Sequence, residues 1–317
     1  MGSKSQKRTL IVKLGYSETF VSHVRTTCSL GDVLRTTSIL HLFVQDNVTW
    51  LTDAAAVPLL AGNPLIDRIV AYTPETARRL ESEQFDTIVN LEKVPELCAM
   101  VDRMAPTQHY GFRIDNATGN PTASDDAYDA LIVATHDEAK RTNNRSWAEL
   151  LFAMLGATWR GEGYVLGYKP GNAVARDVGF NTHVGSLFPV KAWPAENWTA
   201  LDGLLADRYS RSYQQCLDNL EGYIDWINSC RLIVTSDSLG LHLGLALGKK
   251  VVALFGPTPA SDLDPNDNLK VLVAPADRDC LPCCRAECTY DETCMQFITP
   301  ESVFAAVEEL MREQPAD

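Results

Sequence analysis

The sequence lacks long apolar runs and the pattern of a secretory signal, and it has fewer basic than acidic residues. None of its apolar runs approaches the roughly 20 residues that a membrane-spanning helix needs, and residues 1–8 are polar, without the apolar core of a signal peptide. Lys and Arg number 28 against 41 Asp and Glu, so the net charge is −13. Binding a long nucleic acid relies on basic side chains that neutralise phosphates. We therefore expect no membrane span, at most peripheral membrane contact, and no nucleic-acid partner.

Cysteine is plentiful, but its distribution does not suit a disulfide framework. The nine cysteines are an odd number, and four of them are scattered through segments with helix or strand patterns. Loose thiols of this kind are typical of a reducing compartment, so the sequence predicts a cytoplasmic protein. The other five crowd between residues 280 and 294 and need a separate explanation.

Hydrophobic residues make up 45% of the chain, which is enough for packed cores. Short apolar runs alternate with helical patterns over most of the length. The predicted strands lie at residues 9–14, 48–51, 67–72, 85–91, 109–112, 178–181, 232–235, 251–255 and 271–273. This alternation indicates parallel sheets covered by helices on both faces. Residues 113–145 interrupt the pattern and are predicted to form a surface insertion with one helical turn.

At about 150 residues per domain, the length favours two domains. The stretch 168–172 (YKPGN) is typical of a linker, which gives domains of 1–170 and 171–317. Doubly wound sheets bind ligands beyond the carboxyl ends of their strands. Turns that follow strands are therefore where functional residues are expected.

The first such turn leads into a predicted helix at 31–43, which opens with residues 29–35 (SLGDVLR). Asp32 has two interpretations there. It caps the helix by accepting free N–H groups, or it is a general base that removes a proton from a substrate hydroxyl. The helix N-terminus stabilises a carboxylate and weakens it as a base, whereas desolvation strengthens it. The sequence leaves this balance open.

A second turn comprises residues 183–194 (HVGSLFPVKAWP). Its Gly-Ser pair lets backbone N–H groups approach an anion, and Lys191 supplies a positive charge. The alternative is that Lys191 is a solvated loop residue and that the Trp-Pro pair forms a packing corner.

A third turn, residues 234–242 (VTSDSLGLH), passes from a strand into a helix, and residues 255–258 (FGPT) follow the next strand. Asp237 is predicted to be the N-cap, while Ser238 and the first-turn amides can bind a phosphate. His242 lies four residues after Ser238 and shares its helix face. A lone helical histidine is otherwise a core or surface residue.

Together these turns resemble glycosyltransferase family 9, which includes the ADP-heptose–lipopolysaccharide heptosyltransferases. The similarity rests on residues 29–35, 191–194, 237–242 and 255–258. It implies an α/β protein of the GT-B fold, with two Rossmann-like doubly wound domains that face a central cleft. The first domain would be the acceptor side. The second would bind the nucleotide-sugar donor and carry the cysteine-rich segment and the terminal helix.

By motif match, Asp32 takes the family's catalytic-base position. The donor-binding positions fall on Gly31, Ser186, Lys191, Asp237, Ser238 and His242. The implied reaction is an inverting transfer of a sugar, with heptose favoured, from a nucleoside-diphosphate sugar such as ADP-heptose to a lipopolysaccharide or related glycan. That chemistry needs no cofactor, and it would take place at the inner face of the cytoplasmic membrane.

Two segments depart from the family pattern. Family members usually have a strand, a Gly-Gly turn and an acidic residue where this chain has residues 209–218 (YSRSYQQCLD). This departure puts the usual contact with the donor ribose and base in doubt. The stretch between the first strand and Ser29 is also longer than in the heptosyltransferases, which bears on the choice of acceptor.

The cysteine cluster follows the pattern C-x2-C-C-x3-C-x5-C. It consists of Cys280, Cys283, Cys284, Cys288 and Cys294. Four thiolates can hold zinc or iron tetrahedrally, and a related autotransporter heptosyltransferase group binds iron through a cysteine motif. A structural Zn or Fe site made by four of the five is one hypothesis. Reduced or disulfide-linked thiols that pack a loop are another, and a redox pair at 280 and 283 is a third.

Two other classes of function stay open. A sugar-nucleotide epimerase shares the two-domain architecture, but it would convert the donor without any acceptor. A non-catalytic nucleotide- or metal-binding relative would neither hydrolyse nor transfer the donor sugar, and the altered segment 209–218 is compatible with that class.

Overall fold

A computed structural model of the chain describes residues 6–16, 27–216, 218–275 and 280–312. The chain divides into two compact units, Met1–Tyr168 and Lys169–Asp317, and each is described by itself. In the part of the chain that the structure describes, no helix has the length and hydropathy needed to cross a membrane.

The first unit is built on a six-stranded sheet with the order β3-β2-β1-β4-β5-β6. Its strands are β1 (Arg8–Val12), β2 (Asn47–Thr52), β3 (Arg68–Ala71), β4 (Thr87–Asn90), β5 (Gln108–Ile114) and β6 (Pro121–Ala123). The first five in chain order are parallel, and β6 is antiparallel to β5. Residues 10–12 of β1 are fully buried, as expected of a central strand covered on both faces.

Seven α-helices accompany this sheet in the described residues. They are α1 (Leu30–Thr36), α2 (Val57–Leu60), α3 (Pro74–Glu81), α4 (Pro95–Met104), α5 (Tyr128–Thr135), α6 (Asp137–Thr142) and α7 (Trp147–Met154). The start of α7 has a local cause in the sequence. Ser146 is the N-cap and forms a capping box with Glu149, which satisfies two backbone N–H groups reciprocally.

Two sequence predictions for the first unit are wrong. Residues 31–43 are not one helix, because α1 ends at Thr36 and a 3-10 helix, Thr37–Leu42, follows it. The hydroxyls of Thr36 and Thr37 donate to the carbonyls of Asp32 (2.7 Å) and Leu34 (2.6 Å), a back-bonding pattern that disturbs regular helix. Residues 113–145 are not an insertion with a single turn, since they contain β6, α5 and α6.

The second unit has a five-stranded, all-parallel sheet with the order β11-β10-β9-β7-β8. Its strands are β7 (Arg176–Asn181), β8 (Arg211–Tyr213), β9 (Cys230–Ser236), β10 (Lys250–Phe255) and β11 (Leu269–Val273). Its helices are α8 (Ala195–Leu205), α9 (Leu220–Asn228), α10 (Leu239–Ala246) and α11 (Pro300–Arg312). The segment 209–218 therefore does provide a strand, β8, at the edge of the sheet. Tyr213 packs edge-on against Phe180 of β7, with ring centroids 5.1 Å apart.

Each sheet has a point where the direction of the strand order reverses. In the first unit this point lies between β1 and β4. In the second, where β7 comes first in the chain, it lies between β7 and β9, as in the flavodoxin-like order 2-1-3-4-5. Doubly wound sheets bind ligands beyond the carboxyl ends of the strands at such points. A site is therefore expected among the residues that follow β1, β4, β7 and β9.

Candidate functional site

An ion pair stands beyond the carboxyl end of β9 in the second unit. The carboxylate of Asp237 accepts hydrogen bonds from Lys191 Nζ at 2.7 Å and from Thr258 Oγ1 at 2.8 Å. The Lys191 and Asp237 side chains are only 16% and 19% exposed. Lys191 also lies 4.9 Å from the centroid of the Phe188 ring. The interpretation of Lys191 as a solvated loop residue is therefore wrong, because its ammonium group is fixed and largely desolvated.

The charge state of Asp237 follows from these contacts. Burial by itself would raise the pKa of its carboxyl group. The Lys191 ammonium group, the neighbouring His242 and the two hydrogen bonds outweigh burial and hold the pKa of Asp237 well below its usual range. Asp237 is thus an anion that orients Lys191. The predicted N-cap role of Asp237 is wrong, since Ser238 occupies that position of α10.

Ser238 belongs to a buried hydrogen-bond network at the same edge of the sheet. Asn181 Nδ2, at the end of β7, donates to Ser238 Oγ (3.0 Å) and to Thr235 Oγ1 (2.8 Å), and the hydroxyl of Tyr223 donates to Asn181 Oδ1 (2.6 Å). A Cβ added to Gly240 would lie 2.5 Å from Asn181 Nδ2. The beginning of α10 therefore packs directly on this network and is held in place by it.

The side chain of Ser238 does not cap α10. The first N–H groups of a helix have no intrahelical partner, and together with the helix dipole they form a ready site for an anion. This helix start stands beside the fixed ammonium group of Lys191. The arrangement can bind a phosphate or diphosphate group. Sequence analysis missed Asn181 and Tyr223; for Asn181 the available signal was a polar residue at the end of the predicted strand 178–181.

The other residues predicted to bind the donor do not all lie at this site. His242 is buried in α10, 4% exposed, and its charge acts on Asp237. Ser186 is exposed in the loop after β7, and among the described residues no hydrogen bond or ion pair links it to Asp237 or Ser238. Gly31, in the first unit, is the second residue of α1.

Asp32 lies in the first turn of α1, beyond the carboxyl end of β1. Ser29 is the N-cap of this helix, and its hydroxyl donates to the Asp32 carboxylate. Arg35 Nη1 lies 3.7 Å from Asp32 Oδ1, and the Asp32 side chain is 23% exposed. Asp32 is therefore not the N-cap, and its carboxylate is partly exposed to solvent.

A buried pair of charged residues near Asp32 was missed by sequence analysis. Lys13 follows β1 and Glu92 follows β4; Lys13 Nζ and Glu92 Oε1 are 3.8 Å apart, and both side chains are essentially inaccessible to solvent. Burial lowers the pKa of Lys13, an effect that the Glu92 and Asp32 carboxylates oppose. Burial raises the pKa of Glu92, opposed mainly by Lys13. The available signal was a charged residue at or near the end of each of two apolar strands.

The cysteine-rich segment lines a pocket with four of its five cysteines: Cys280, Cys283, Cys288 and Cys294. Burial, followed by the neighbouring Cys283, Cys288 and Cys280 thiols, raises the pKa of Cys294 to about 11. None of the nine cysteines is in a disulfide. Among the described residues, no three or more His, Cys, Asp or Glu side chains are arranged to hold a metal ion.

Comparison with known proteins connects the second-unit site to a family. Residues 218–294 match the family model of glycosyltransferase family 9 (heptosyltransferase), and this segment contains Asp237, Ser238 and His242. Lipooligosaccharide heptosyltransferase 2 from Campylobacter jejuni subsp. jejuni serotype O:2 is 32% identical over 84 residues. That alignment covers 26% of this chain and 26% of the relative, so the match spans about a quarter of the curated relative's length.

The likeness of fold extends over nearly the whole chain. A glycosyl transferase family 9 structure from Veillonella parvula DSM 2008 is similar with a TM-score of 0.64 and 19% identity, covering 97% of this chain and 98% of that one. E. coli heptosyltransferase WaaC, solved with ADP-2-deoxy-2-fluoro heptose, has a TM-score of 0.60 and 18% identity, covering 95% and 99%. The fold class is thus α/β, the GT-B fold, with a doubly wound sheet in each unit.

The resemblance to glycosyltransferase family 9 is confirmed by the family-model match over residues 218–294, a segment that contains the start of α10.

Proposed function

We propose that this chain is an inverting glycosyltransferase that moves a sugar from a nucleoside-diphosphate sugar to a lipopolysaccharide-type or related glycan. The observation that carries the proposal is the fixed Lys191–Asp237 pair beside the start of α10. A cation and a helix N-terminus at one switch point suit a diphosphate. The donor domain is then the second unit. The acceptor side, with Asp32, belongs to the first.

The reaction is a single displacement at the anomeric carbon. The acceptor hydroxyl gives its proton to the Asp32 carboxylate, and its oxygen forms the new bond to the sugar. The bond between the sugar and the diphosphate breaks on the opposite face, which inverts the anomeric configuration. The nucleoside diphosphate leaves with the bonding electrons, and Lys191 and the N–H groups of α10 stabilise its added charge.

ADP-heptose is the favoured donor. The curated relative from Campylobacter jejuni carries the name lipooligosaccharide heptosyltransferase, and the similar E. coli structure was solved with an ADP-heptose analogue. The residues assigned to the donor are Gly31, Ser186, Lys191, Asp237, Ser238 and His242. Since this chemistry needs no cofactor, we assign no catalytic role to the cysteine-rich segment. We place the reaction in the cytoplasm, with peripheral contact to the inner face of the membrane that holds the acceptor.

The experiment that tests the function measures sugar transfer from ADP-heptose, with and without a lipopolysaccharide core acceptor. We expect product only with the acceptor. The Asp32→Asn variant should lower kcat by about 10²- to 10⁴-fold, the usual contribution of a general base, while the Kd of ADP stays unchanged. The matched control is Asp126→Asn, because Asp126 is an exposed carboxylate of the same unit. Equal rates in the two variants would exclude Asp32 as the base.

The same assay separates the other classes of function. Conversion of the donor into an isomer without acceptor would indicate an epimerase, and neither hydrolysis nor transfer above background would indicate a non-catalytic relative. A thermal-shift screen with ADP-, GDP- and UDP-sugars identifies the nucleotide, because a ligand that binds the folded state raises its stability by mass action.

A further inference from the structure

Glu92 has a buried carboxyl group that has no role in the proposed reaction. It is inaccessible to solvent and lies just beyond β4, next to the connection that leaves β1. Its Oε1 atom accepts hydrogen bonds from the backbone N–H groups of Leu14 (2.7 Å) and Gly15 (2.8 Å). A buried carboxyl group is expensive unless it is paired. These two donors and Lys13 at 3.8 Å supply the pairing.

Gly15 connects this carboxyl group to α1. While its N–H donates to Glu92, its carbonyl oxygen accepts from the N–H of Ser29 at 2.9 Å. Ser29 is the N-cap residue whose hydroxyl donates to Asp32. Gly15 adopts φ +81°, and a Cβ there would lie 2.8 Å from the Ser29 carbonyl oxygen. Glycine therefore fits this position, whereas a residue with a Cβ would be strained there and too close to the Ser29 carbonyl oxygen.

Glu92 is itself held to the sheet. Its N–H donates to Asn90 Oδ1 (3.1 Å), while Asn90 Nδ2 donates to the carbonyls of Glu92 (3.2 Å) and Phe112 (2.8 Å). Asn90 ends β4, and Phe112 lies in β5. A continuous set of hydrogen bonds therefore runs from two central strands through Glu92, Gly15 and Ser29 to the carboxylate of Asp32.

We propose that Glu92 is a positioning residue that fixes the Asp32 carboxylate through Gly15 and Ser29. The inference rests on the proposed function, in which Asp32 is the base. A base must meet the hydroxyl proton within hydrogen-bond distance, and a displacement of about 1 Å can reduce a rate by about 100-fold. A side chain that ties the start of α1 to the sheet limits such displacement.

The first test measures backbone hydrogen exchange in Glu92→Leu and Glu92→Gln proteins. The Gln carbonyl oxygen can accept both N–H groups, whereas Leu accepts none. We expect the amides of Leu14, Gly15 and Ser29 to exchange at least ~10-fold faster in Glu92→Leu, and within ~3-fold of the unmodified rate in Glu92→Gln. Glu96→Gln, which removes an exposed carboxylate from α4, is the matched control. Unchanged exchange at Ser29 in a folded Glu92→Leu protein would overturn the proposal.

The second test is a double-mutant cycle in the ADP-heptose transfer assay. Glu92→Leu should lower kcat by about 30-fold without changing the Kd of ADP, and Glu92→Gln should recover most of the rate. In the Asp32→Asn background, Glu92→Leu should change the residual rate by less than ~2-fold, because the two residues act as one unit. A further 30-fold loss there would show that Glu92 does not act through Asp32.

The two tests separate this inference from the proposed function. If Asp32→Asn leaves transfer intact, or if no transfer is found, the proposed function has failed. Hydrogen exchange at Ser29 still decides whether Glu92 fixes the start of α1.

Discussion

Both sheets have a carboxylate beside the start of a helix at their switch point, yet the surroundings of the two groups differ. Asp237 in the second unit binds Lys191 and Thr258 directly. Asp32 in the first unit has a serine hydroxyl and a more distant Arg35. Lys13, buried nearby, lies 3.8 Å from Glu92, and both the Glu92 and the Asp32 carboxylates oppose the lowering of its pKa by burial. A position in a doubly wound fold therefore does not set the role of a carboxylate; its neighbours do.

The difference has a chemical consequence. A carboxylate that is hydrogen-bonded to an ammonium group resists protonation, so Asp237 is suited to holding a cation in place. We therefore predict that substitutions around Asp237 affect donor binding and stability, whereas substitutions around Asp32 affect turnover.

The largest effect is expected at Gly240, where the start of α10 meets Asn181. An added Cβ would lie 2.5 Å from Asn181 Nδ2 and 2.7 Å from the Tyr223 hydroxyl, so Gly240→Ala must displace the network that holds Ser238. We expect the free energy of unfolding to fall by about 2–3 kcal/mol, as in other overpacked sites, measured by urea titration. Gly203→Ala is the control, since a Cβ in that part of α8 meets nothing within 4 Å. Equal stability of the two variants would show that the network can relax.

The next effect concerns donor affinity. Lys191→Met removes the ammonium group next to α10, and we expect the Kd of ADP, measured by calorimetry, to rise about 30-fold, or about 2 kcal/mol, as for loss of a charged hydrogen bond. Lys169→Met removes an exposed lysine of the same unit and should leave the Kd unchanged. If Asp32→Asn weakened ADP binding as much as Lys191→Met, the two carboxylates would not have the different roles predicted for them.

A smaller effect is expected from acid. Because the folded-state pKa of Asp237 lies below its usual value, the Lys191 pair contributes stability that is fully present above the unfolded carboxyl pKa of about 4 and is lost as the pH falls through the folded value. The stability deficit of Lys191→Met relative to the unmodified protein should therefore be constant from pH 7 to 5. It should shrink by about 1 kcal/mol near pH 3. A deficit that is independent of pH down to 3 would mean that the pair does not hold Asp237 ionised.

The smallest expected effect concerns the cysteine-rich segment, far in sequence from Asp32. Since its thiols are not arranged to hold a metal ion among the described residues, we expect elemental analysis of gently purified protein to find less than about 0.2 Zn or Fe per chain. Cys283→Ser should then leave the thermal stability nearly unchanged. A content near one metal per chain that Cys283→Ser abolishes would restore the hypothesis of a structural site, with the four pocket thiols as its ligands.

Local sequence signals predicted much of the fold. Nine of the eleven strands in the described residues match predicted apolar runs, whereas β6 and β8 were not predicted. The helices of residues 113–145 were missed because polar loop residues surround a short apolar stretch, of which Ala130 and Leu131 are buried. Burial of that stretch comes from tertiary packing, which a local pattern does not report.

By itself the sequence determined that Asp32, Lys191 and Asp237 lie in segments that follow strands, because alternation of apolar and polar segments is a local property. Only the tertiary structure decided their partners. Glu92 meets Leu14 across 78 residues, Lys191 meets Asp237 across 46, and Tyr223 meets Asn181 across 42. Such pairs arise when crossover connections bring the ends of neighbouring strands together. The physical reason is that a carboxylate's charge state depends on what surrounds it in space.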